Sequence, residues 1–316
     1  MHTSAKLGRF PPLLGPCVRP EHTGERQQGT IERMSPPILL DVPITFDVGD
    51  QQRTHAPMVH ATVAGTPTKL ILDTGSTDHI LTIELAEQIG LTAEPGEAGT
   101  DSTGASVPSW MLGQLTAEIA DQAFVLRDVV AITAPAPFPL FGIGGILSPQ
   151  HLRLGTWAVL DLAADRFFLL DAEETDLSEW LRERTPDHQL LRLERAPGDA
   201  TILVHAAIEP NHAVVTMLDS GGKRTQFTQA AVPGTGEGPQ TSSGRGVGGG
   251  ESFGAELRGQ TLLVGEAKLP LATLIVSPEM DGRDGLVGMD VLRGTVLTVS
   301  GDPHTPVIWQ VARQRK

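Results

Sequence analysis

The chain has 316 residues, a length that favours about two domains. It is 40% hydrophobic and 20% charged, with 35 glycines and 24 prolines, which is typical of a globular protein with many turns. The formal net charge of -14 argues against a nucleic-acid partner, because proteins that bind a phosphate backbone carry a basic face. Cys17 is the single cysteine, so no disulfide can form within the chain.

Residues 1–36 read as a disordered tail. Their sequence lacks the apolar core of about 7–15 residues that a signal peptide needs, and Pro16 directly before Cys17 argues against a lipoprotein cleavage site. No run in the chain approaches the roughly 18 apolar residues of a membrane span. We therefore expect a cytoplasmic protein without a membrane span, for which Met34 is an alternative start.

Short runs of Val, Ile, Leu and Thr between Gly and Pro predict strands from Pro37 onward. A short helix is predicted at Thr82–Leu91 and a hairpin turn at Ala164–Asp165. The acidic segment "AEETDLSEWLRERTPDHQ" is interpreted as a helix or a linker between two halves. The expected regions are the tail, a first lobe at 37–180 and a second lobe at 181–316.

Landmarks of the first half return in the second half in the same order. Asp73 in "LILDTGS" corresponds to Asp219 in "VTMLDSGG", an offset of 146 residues (219 − 73). Gly145 in "FGIGGIL" is aligned with Gly288 in "DGLVGMD" at nearly the same spacing, and a Gly-Thr pair precedes a final hairpin in both halves. The repeat predicts two related lobes.

Asp-Thr-Gly after a strand is by itself an ordinary turn, in which Asp accepts backbone hydrogen bonds and Gly takes a positive φ. The second acidic turn, and the apolar glycine element that follows each of them, make that explanation insufficient. The paired motifs Asp73–Ser76 and Asp219–Gly222 resemble those of the aspartic proteases, over a span from Leu39 to Val311. In detail they are more similar to the compact retropepsin-like lobes of bacterial proteins than to a secreted pepsin.

The resemblance implies an all-β fold with two related pepsin-like β-barrel lobes, a central cleft and few short helices. It implies an aspartic endopeptidase in which Asp73 and Asp219 share one proton and activate a water molecule that attacks a peptide or protein substrate. The family uses no cofactor and no metal, and both lobes lie in one chain, so a monomer is expected.

The same resemblance implies roles for the residues that follow each acid. Thr74 and Ser220 would cross-link the two turns through hydroxyl-to-backbone hydrogen bonds. Gly75 and Gly221 would let the backbone approach the carboxylates and donate N–H groups to them.

The two motifs differ at their fourth position. Ser76 can offer a hydroxyl to Asp73, whereas Gly222 cannot offer one to Asp219. Fewer donors to Asp219 would raise its pKa, so Asp219 is expected to hold the shared proton more often. We also expect a pH optimum above that of a secreted acid protease.

A flap that covers the substrate is also implied. The segment "GTDSTGASVPSW" predicts a hairpin tip at Thr103, Gly104 and Ala105, and "SSGRGVGGGESFG" is its counterpart in the second half. The chain has no tyrosine, so Trp110 is interpreted as an apolar lid or as a core or edge residue. "GRGVGG" within the second hairpin formally matches a dinucleotide motif, but no strand-to-helix context surrounds it.

Two alternatives to an enzyme stay open: a non-catalytic peptide-binding module on the same fold, and a structural β protein with acidic turns. Retention of both acids favours catalysis over the first, and the repeat argues against the second. Asp78 and His79 are interpreted as residues at the start of the helix. The ten histidines show no zinc-binding spacing.

Overall fold

The computed structural model describes residues 38–46, 55–101, 103–197, 201–234, 240–280 and 283–313. The predicted tail at 1–36, including Cys17, lies outside the described residues. Strands make up most of the described chain: β1 (Ile38–Pro43), β2 (Met58–Val63), β3 (Thr66–Leu72), β4 (Ile80–Thr82), β5 (Glu94–Pro95), β6 (Gly99–Thr100), β7 (Ser106–Val107), β8 (Ser109–Ile119), β9 (Gln122–Ile132), β10 (Ile143–Leu147), β11 (Thr156–Asp161), β12 (Arg166–Asp171), β13 (His188–Leu193), β14 (Leu203–Ile208), β15 (Val214–Leu218), β16 (Gln226–Thr228), β17 (Gln240–Arg245), β18 (Glu251–Val264), β19 (Ala267–Ser277), β20 (Gly285–Val287), β21 (Val296–Val299) and β22 (Val307–Ala312). The helical segments are short: α1 (Ile83–Gln88), α2 (Pro137–Phe141), a 3₁₀ turn (Pro149–His151), α3 (Leu177–Arg184) and α4 (Met289–Leu292).

Six strands of the first half close into a ring, in which β2, β3, β10, β4, β9 and β8 pair in that order and β8 pairs back with β2. Alternating side chains fill its interior: Val59, Ala61 and Val63 of β2 are buried, whereas His60 between them is exposed. Strand β5 pairs with β8 outside the ring.

The second half builds the same ring from β14, β15, β20, β16, β19 and β18, and β18 pairs back with β14. Strand β17 takes the place of β5 outside it. In both rings the strand that leads to the acid runs parallel to its glycine-containing neighbour, β3 beside β10 and β15 beside β20. The two rings therefore have the same topology, as the repeat predicts.

A third sheet joins the two halves in the order β1, β12, β11, β21, β22 and β13. The hairpin β11–β12 follows the first ring and the hairpin β21–β22 follows the second, so the order is symmetric about the contact between β11 and β21. These central strands read as continuous apolar runs because both of their faces are covered.

Helix α3 covers one face of this shared sheet. Asp176 caps it by accepting a hydrogen bond from the Glu179 amide at 3.0 Å, and Trp180 and Leu181 pack against buried residues of the sheet, including Phe168. The acidic segment between the halves is therefore a helix. The lobe boundary predicted after residue 180 falls within α3 and stays a prediction.

The expected all-β architecture with two related barrels and few short helices is confirmed. Helix α1 begins after Thr82, whose hydroxyl accepts from the Leu85 amide, and the hairpin turn contains Asp165 with a φ of 58°. In the part of the chain that the structure describes, no helix is long and apolar enough to cross a membrane.

One element of the predicted repeat is wrong by three residues. The carbonyls of Leu147 and Val287 accept equivalent hydrogen bonds from the amides of Asp73 and Asp219, and this places Gly145 opposite Gly285 in the repeat. Both glycines pair across their ring with the strand that follows the acid turn. Gly288 corresponds instead to Ser148, because each follows the accepting residue directly.

We predict that Gly145→Ala destabilises the fold by about 1–3 kcal/mol or more. A β-carbon at this position would lie 2.1 Å from the Ile80 carbonyl oxygen, a backbone atom of the paired strand that has no room to move. Urea unfolding measures the loss. Gly99→Ala is the matched control, because no atom lies within 4 Å of its added β-carbon, and it should leave the midpoint unchanged or slightly raised. Equal midpoints for the two variants would contradict this prediction.

Candidate active site

Two equivalent strand ends deliver the acids to one place. Strand β3 ends at Leu72 directly before Asp73, and β15 ends at Leu218 directly before Asp219. The amides of both aspartates donate to carbonyls of the neighbouring parallel strands at 3.0 Å. The buried apolar runs therefore fix where each acid leaves its ring.

A symmetric set of hydrogen bonds cross-links the two turns. The Thr74 hydroxyl donates to the Leu218 carbonyl at 2.6 Å and accepts from the Ser220 amide at 3.1 Å. The Ser220 hydroxyl donates to the Leu72 carbonyl at 2.8 Å and accepts from the Thr74 amide at 3.0 Å. Both side chains are fully buried, so each hydroxyl satisfies groups that no water reaches. The structure brings these two predicted residues together as expected.

The two carboxyl groups lie side by side at the floor of this arrangement, close enough for each to shift the pKa of the other. The Gly75 amide donates to Asp73 Oδ1 at 2.8 Å, and the Gly221 amide donates to Asp219 Oδ1 at 2.8 Å. A β-carbon at Gly75 would lie 2.9 Å from Asp219 Oδ1, and one at Gly221 would lie 2.4 Å from Asp73 Oδ2. Each glycine thus leaves room for the acid of the other half.

Burial raises the pKa of both carboxyl groups, and the negative charge of Asp219 raises the pKa of Asp73 further, well above its usual range. For Asp219, burial is opposed by the hydrogen bond from Asp73, by the amides of Gly222 and Gly221, and by the positive charge of Arg283. A single proton shared by the pair fits these directions. The expected order of the two pKa values stays a prediction.

The fourth position of each motif differs from the expectation. The Ser76 hydroxyl donates to the Asp78 carbonyl at 2.8 Å instead of to Asp73. The Gly222 amide donates to Asp219 Oδ1 at 2.8 Å, so Asp219 receives two amide donors from its own turn. The amides of Gly75 and Gly221 lower the pKa of Asp73 in the same way, so the expected shortage of donors at Asp219 is absent.

Two residues near the first acid have structural roles that their sequence positions did not indicate. His79 is buried, precedes β4, and accepts from the Ser148 amide through Nδ1 at 3.3 Å; burial lowers its pKa to about 4. It is not an exposed or capping residue of the helix, which begins later at Ile83. Buried Gln150 was not singled out, although its amide group donates to the carbonyl of Ser76 at 3.1 Å.

Asp78 likewise does not lie at the helix start, since it precedes β4 and lines the central cavity. Trp110 is partly buried in β8 and pairs with Pro95 on one side and Ala131 on the other, so it lies inside the sheet and not at its edge. It is not among the residues that line the central cavity.

The predicted flap tip is a tight hairpin between β6 and β7. Asp101 holds it together: its Oδ1 accepts from the amides of Thr103 at 2.9 Å and Ala105 at 3.1 Å, and from the Thr103 hydroxyl. Gly104 has a φ of 79°, a conformation that favours glycine. Only 8% of Asp101 is exposed, so the carboxylate is enclosed by these donors.

The second hairpin, between β17 and β18, meets the first one. Its tip is closed by the hydrogen bond from the Gly249 amide to the Gly246 carbonyl at 3.0 Å, and the Gly248 amide donates to Asp101 Oδ2 at 2.9 Å. A β-carbon at Gly250 would lie 2.1 Å from the Thr103 hydroxyl oxygen. The glycine-rich motif thus forms a hairpin tip that needs small residues to contact the other flap.

A cavity of about 1340 Å³ lies between the acids and the hairpin tips. Asp73 and Asp219 line one side of it, whereas Asp101, Thr103 and Val247 line the other. Its volume exceeds the roughly 300–1,000 Å³ of typical small-molecule sites, so it has room for several residues of an extended peptide. In the described residues, no group of three or more His, Cys, Asp or Glu side chains is arranged to hold a metal ion.

The comparison with protein families supports the same interpretation. Residues 59–148 match the family described as "Aspartyl protease". The matched segment contains Asp73, the first hairpin tip and β10, and it ends before the second half begins. No curated protein matches the chain. The resemblance to aspartic proteases is confirmed over the matched residues.

We predict that Asp73→Asn stabilises the folded protein at neutral pH. The folded-state pKa of Asp73 lies above the value of about 3.9 in an unfolded chain, so its contribution to stability is present below pH 3.9 and is lost as the pH rises through the folded-state pKa. A neutral amide avoids that loss. Urea midpoints of variant and wild type should therefore differ at pH 7 and converge towards pH 3.

Asp302→Asn is the control, because the pKa of Asp302 is lowered in the folded protein whereas that of Asp73 is raised. Hydrogen bonds from the His304 amide and the Thr305 hydroxyl lower the pKa of Asp302, so its ionised form is the one that folding favours. This substitution should not stabilise the protein at pH 7. A gain of the same size in both variants would show that the burial of the dyad is not its cause.

We also predict that Asp101→Ala releases the two hairpin tips from each other. The amides of Thr103, Ala105 and Gly248 lose a charged acceptor, and their hydrogen exchange should accelerate by about tenfold or more. Exchange monitored by mass spectrometry measures this. Asp101→Asn keeps one acceptor oxygen and should have a smaller effect. Unchanged exchange at Gly248 in Asp101→Ala would contradict the contact between the hairpins.

Proposed function

We propose that the protein is an aspartic endopeptidase, which hydrolyses peptide bonds with a water molecule activated between Asp73 and Asp219. The observation that carries this proposal is the contact between the two carboxyl groups, of which Asp219 is buried and Asp73 partly buried. Their raised pKa values favour a single shared proton. The family match over residues 59–148 supports peptide hydrolysis in general. The identity of the acids and their mechanism are our inference.

In the proposed mechanism the two acids have different tasks. We assign the charge to Asp219, because its turn amides and Arg283 lower its pKa. Asp219 accepts a proton from the water as the water oxygen attacks the scissile carbonyl carbon. Asp73 donates its proton to the carbonyl oxygen. When the tetrahedral diol collapses, Asp219 returns a proton to the leaving nitrogen and a diol hydroxyl returns one to Asp73, so the dyad regains its starting state.

The surroundings of the dyad fit this chemistry. The hydrogen bonds between Thr74 and Ser220 hold the two turns in register, which keeps the carboxyl groups within reach of one water molecule. The hairpin tips that meet at Asp101 and Gly248 would cover a bound peptide and reduce the access of bulk water. They would have to open to admit a chain.

The proposal includes a monomeric enzyme of two lobes at 37–180 and 181–316, since one chain supplies both acids. Its substrates would be peptides or unfolded protein segments that enter the cavity in an extended form. The retropepsin-like subtype is part of the same inference, and it rests on the presence of a hairpin tip in each half.

A non-catalytic peptide-binding module is the second candidate. The same cavity and hairpins would serve it, so the observation in its favour is the cavity itself. The buried acid pair argues against this reading, because the desolvation of two carboxyl groups weakens the fold and a binding module gains nothing from it.

We predict that Asp73→Asn and Asp219→Asn each lower peptide cleavage by at least about 10²–10⁴-fold, because each removes the group that transfers a proton. Wild type and variants would be incubated with a peptide library between pH 3 and pH 8, and products identified by mass spectrometry. Hydroxyl-bearing mimics of the tetrahedral diol should inhibit the wild type.

Asp302→Asn, far from the dyad in the chain and exposed, is the activity control and should cleave like the wild type. Binding of library peptides without cleavage at any pH would support the binding module. A rate maximum near pH 2 would contradict the expected pH range of the enzyme.

A further inference from the structure

The two halves present equivalent residues to the cavity, and one equivalent pair differs in charge. Leu147 and Val287 occupy the same place in their rings, since each carbonyl accepts from an aspartate amide at 3.0 Å. Four residues before each of them stand Ile143 and Arg283, and both line the cavity. An apolar side chain of the first half thus corresponds to a guanidinium group in the second.

The neighbours of this pair are apolar in both halves. Ile146 packs near Ile143 in the first half, within a cluster that also contains Met58, Ile71 and Phe138. The second half has a corresponding cluster of Leu203, Met217, Met280 and Leu286. Arg283 therefore changes the character of one wall that is otherwise built like the other.

Arg283 donates one hydrogen bond to a weak acceptor. It is partly buried, and its Nη1 donates to the sulfur of Met217 at 2.7 Å, which is a weak acceptor. No carboxylate among the described residues forms an ion pair with it. A guanidinium carries five N–H groups in a planar fork, so one bond to a sulfur leaves donors for a ligand. Arg283 lines the central cavity and also a second pocket that contains Glu279 and Asp284.

The ionisable residues that line the cavity also differ in charge between the two halves. The ionisable residues that the first half contributes to the lining, apart from the dyad and His55, are all acidic: Asp78, Glu97, Asp101 and Asp128. Those of the second half, apart from the dyad, are Lys223 and Arg283. An acidic group of a ligand is therefore repelled on one side of the cleft and attracted on the other.

We propose that Arg283 forms a subsite for a carboxylate of the substrate, opposite an apolar subsite at Ile143. The planar guanidinium matches a carboxylate in a two-bond geometry, and Leu286 and Met217 beside it offer contacts to the methylene groups of a Glu side chain. The carboxylate comes from an acidic side chain or from a free C-terminus. This inference rests on the proposed peptide hydrolysis and names the substrates that the cleft prefers.

The test compares matched peptides in which one position near the scissile bond is Glu or Gln, each with a free or an amidated C-terminus. Cleavage is followed by mass spectrometry, and binding of the same fluorescent peptides is followed by anisotropy. We expect about a tenfold preference for the Glu peptides in the wild type. Arg283→Met keeps a long side chain without its charge, so this variant should cleave Glu and Gln peptides at about equal rates.

Arg283→Lys should restore part of the preference, because it returns the charge without the planar fork. Arg258→Met is the matched control: this side chain is 82% exposed on β18 and contacts Glu256, and its loss should leave the preference intact. If peptides with a free C-terminus are preferred over amidated ones, and Glu and Gln make no difference, the ligand of Arg283 is the terminal carboxylate and not a side chain.

The outcomes separate this inference from the proposed function. Cleavage with equal rates for Glu and Gln peptides, amidated or free, overturns the subsite and leaves the hydrolase intact. Binding that prefers carboxylates and depends on Arg283, without cleavage, supports the subsite and overturns the hydrolase. Neither binding nor cleavage of any peptide overturns both. A carboxylate preference that persists in Arg283→Met assigns it to another residue and overturns the role of Arg283.

Discussion

The contact between two carboxyl groups, one buried and one partly buried, is the constraint on which the rest of the structure depends. Each acid lies at the end of a strand that is fully paired on both sides, and Thr74 and Ser220 tie the two turns together through buried hydroxyls. Desolvation of Asp73 and Asp219 opposes folding, as their raised pKa values show. The rings and the shared sheet must supply the stability that this site removes.

The two halves make an equivalent hydrogen bond with different residues. The Ser148 amide donates to Nδ1 of His79, and at the equivalent place the Gly288 amide donates to the hydroxyl of Thr225. An imidazole and a hydroxyl thus satisfy the same buried N–H group in the two halves. Because an unpaired buried amide is costly, both halves supply an acceptor at this place, although its chemical identity differs.

The sequence predicts the acid pair, the cross-linking hydroxyls and both hairpin tips, because these depend on motifs that occur twice. It does not predict the hydrogen bonds at the fourth position of each motif, since the direction of the Ser76 hydroxyl and the amide of Gly222 are properties of the folded backbone. Its alignment of Gly145 with Gly288 is wrong because glycines in one short run look alike. The contact between Asp101 and Gly248 joins residues far apart in sequence and has no local signal.

A single chain with two halves can give its acids unequal surroundings, which two identical subunits related by symmetry cannot do in their resting state. Gly222 and Arg283 both favour the charge on Asp219, and nothing equivalent to Arg283 stands beside Asp73, where the repeat places Ile143. Under the proposed mechanism the roles of base and acid are therefore assigned before the substrate arrives. The difference between Ile143 and Arg283 also makes the two walls of the cleft unlike. Under the proposals above, Arg283 would therefore influence both which acid carries the charge and in which direction a peptide binds.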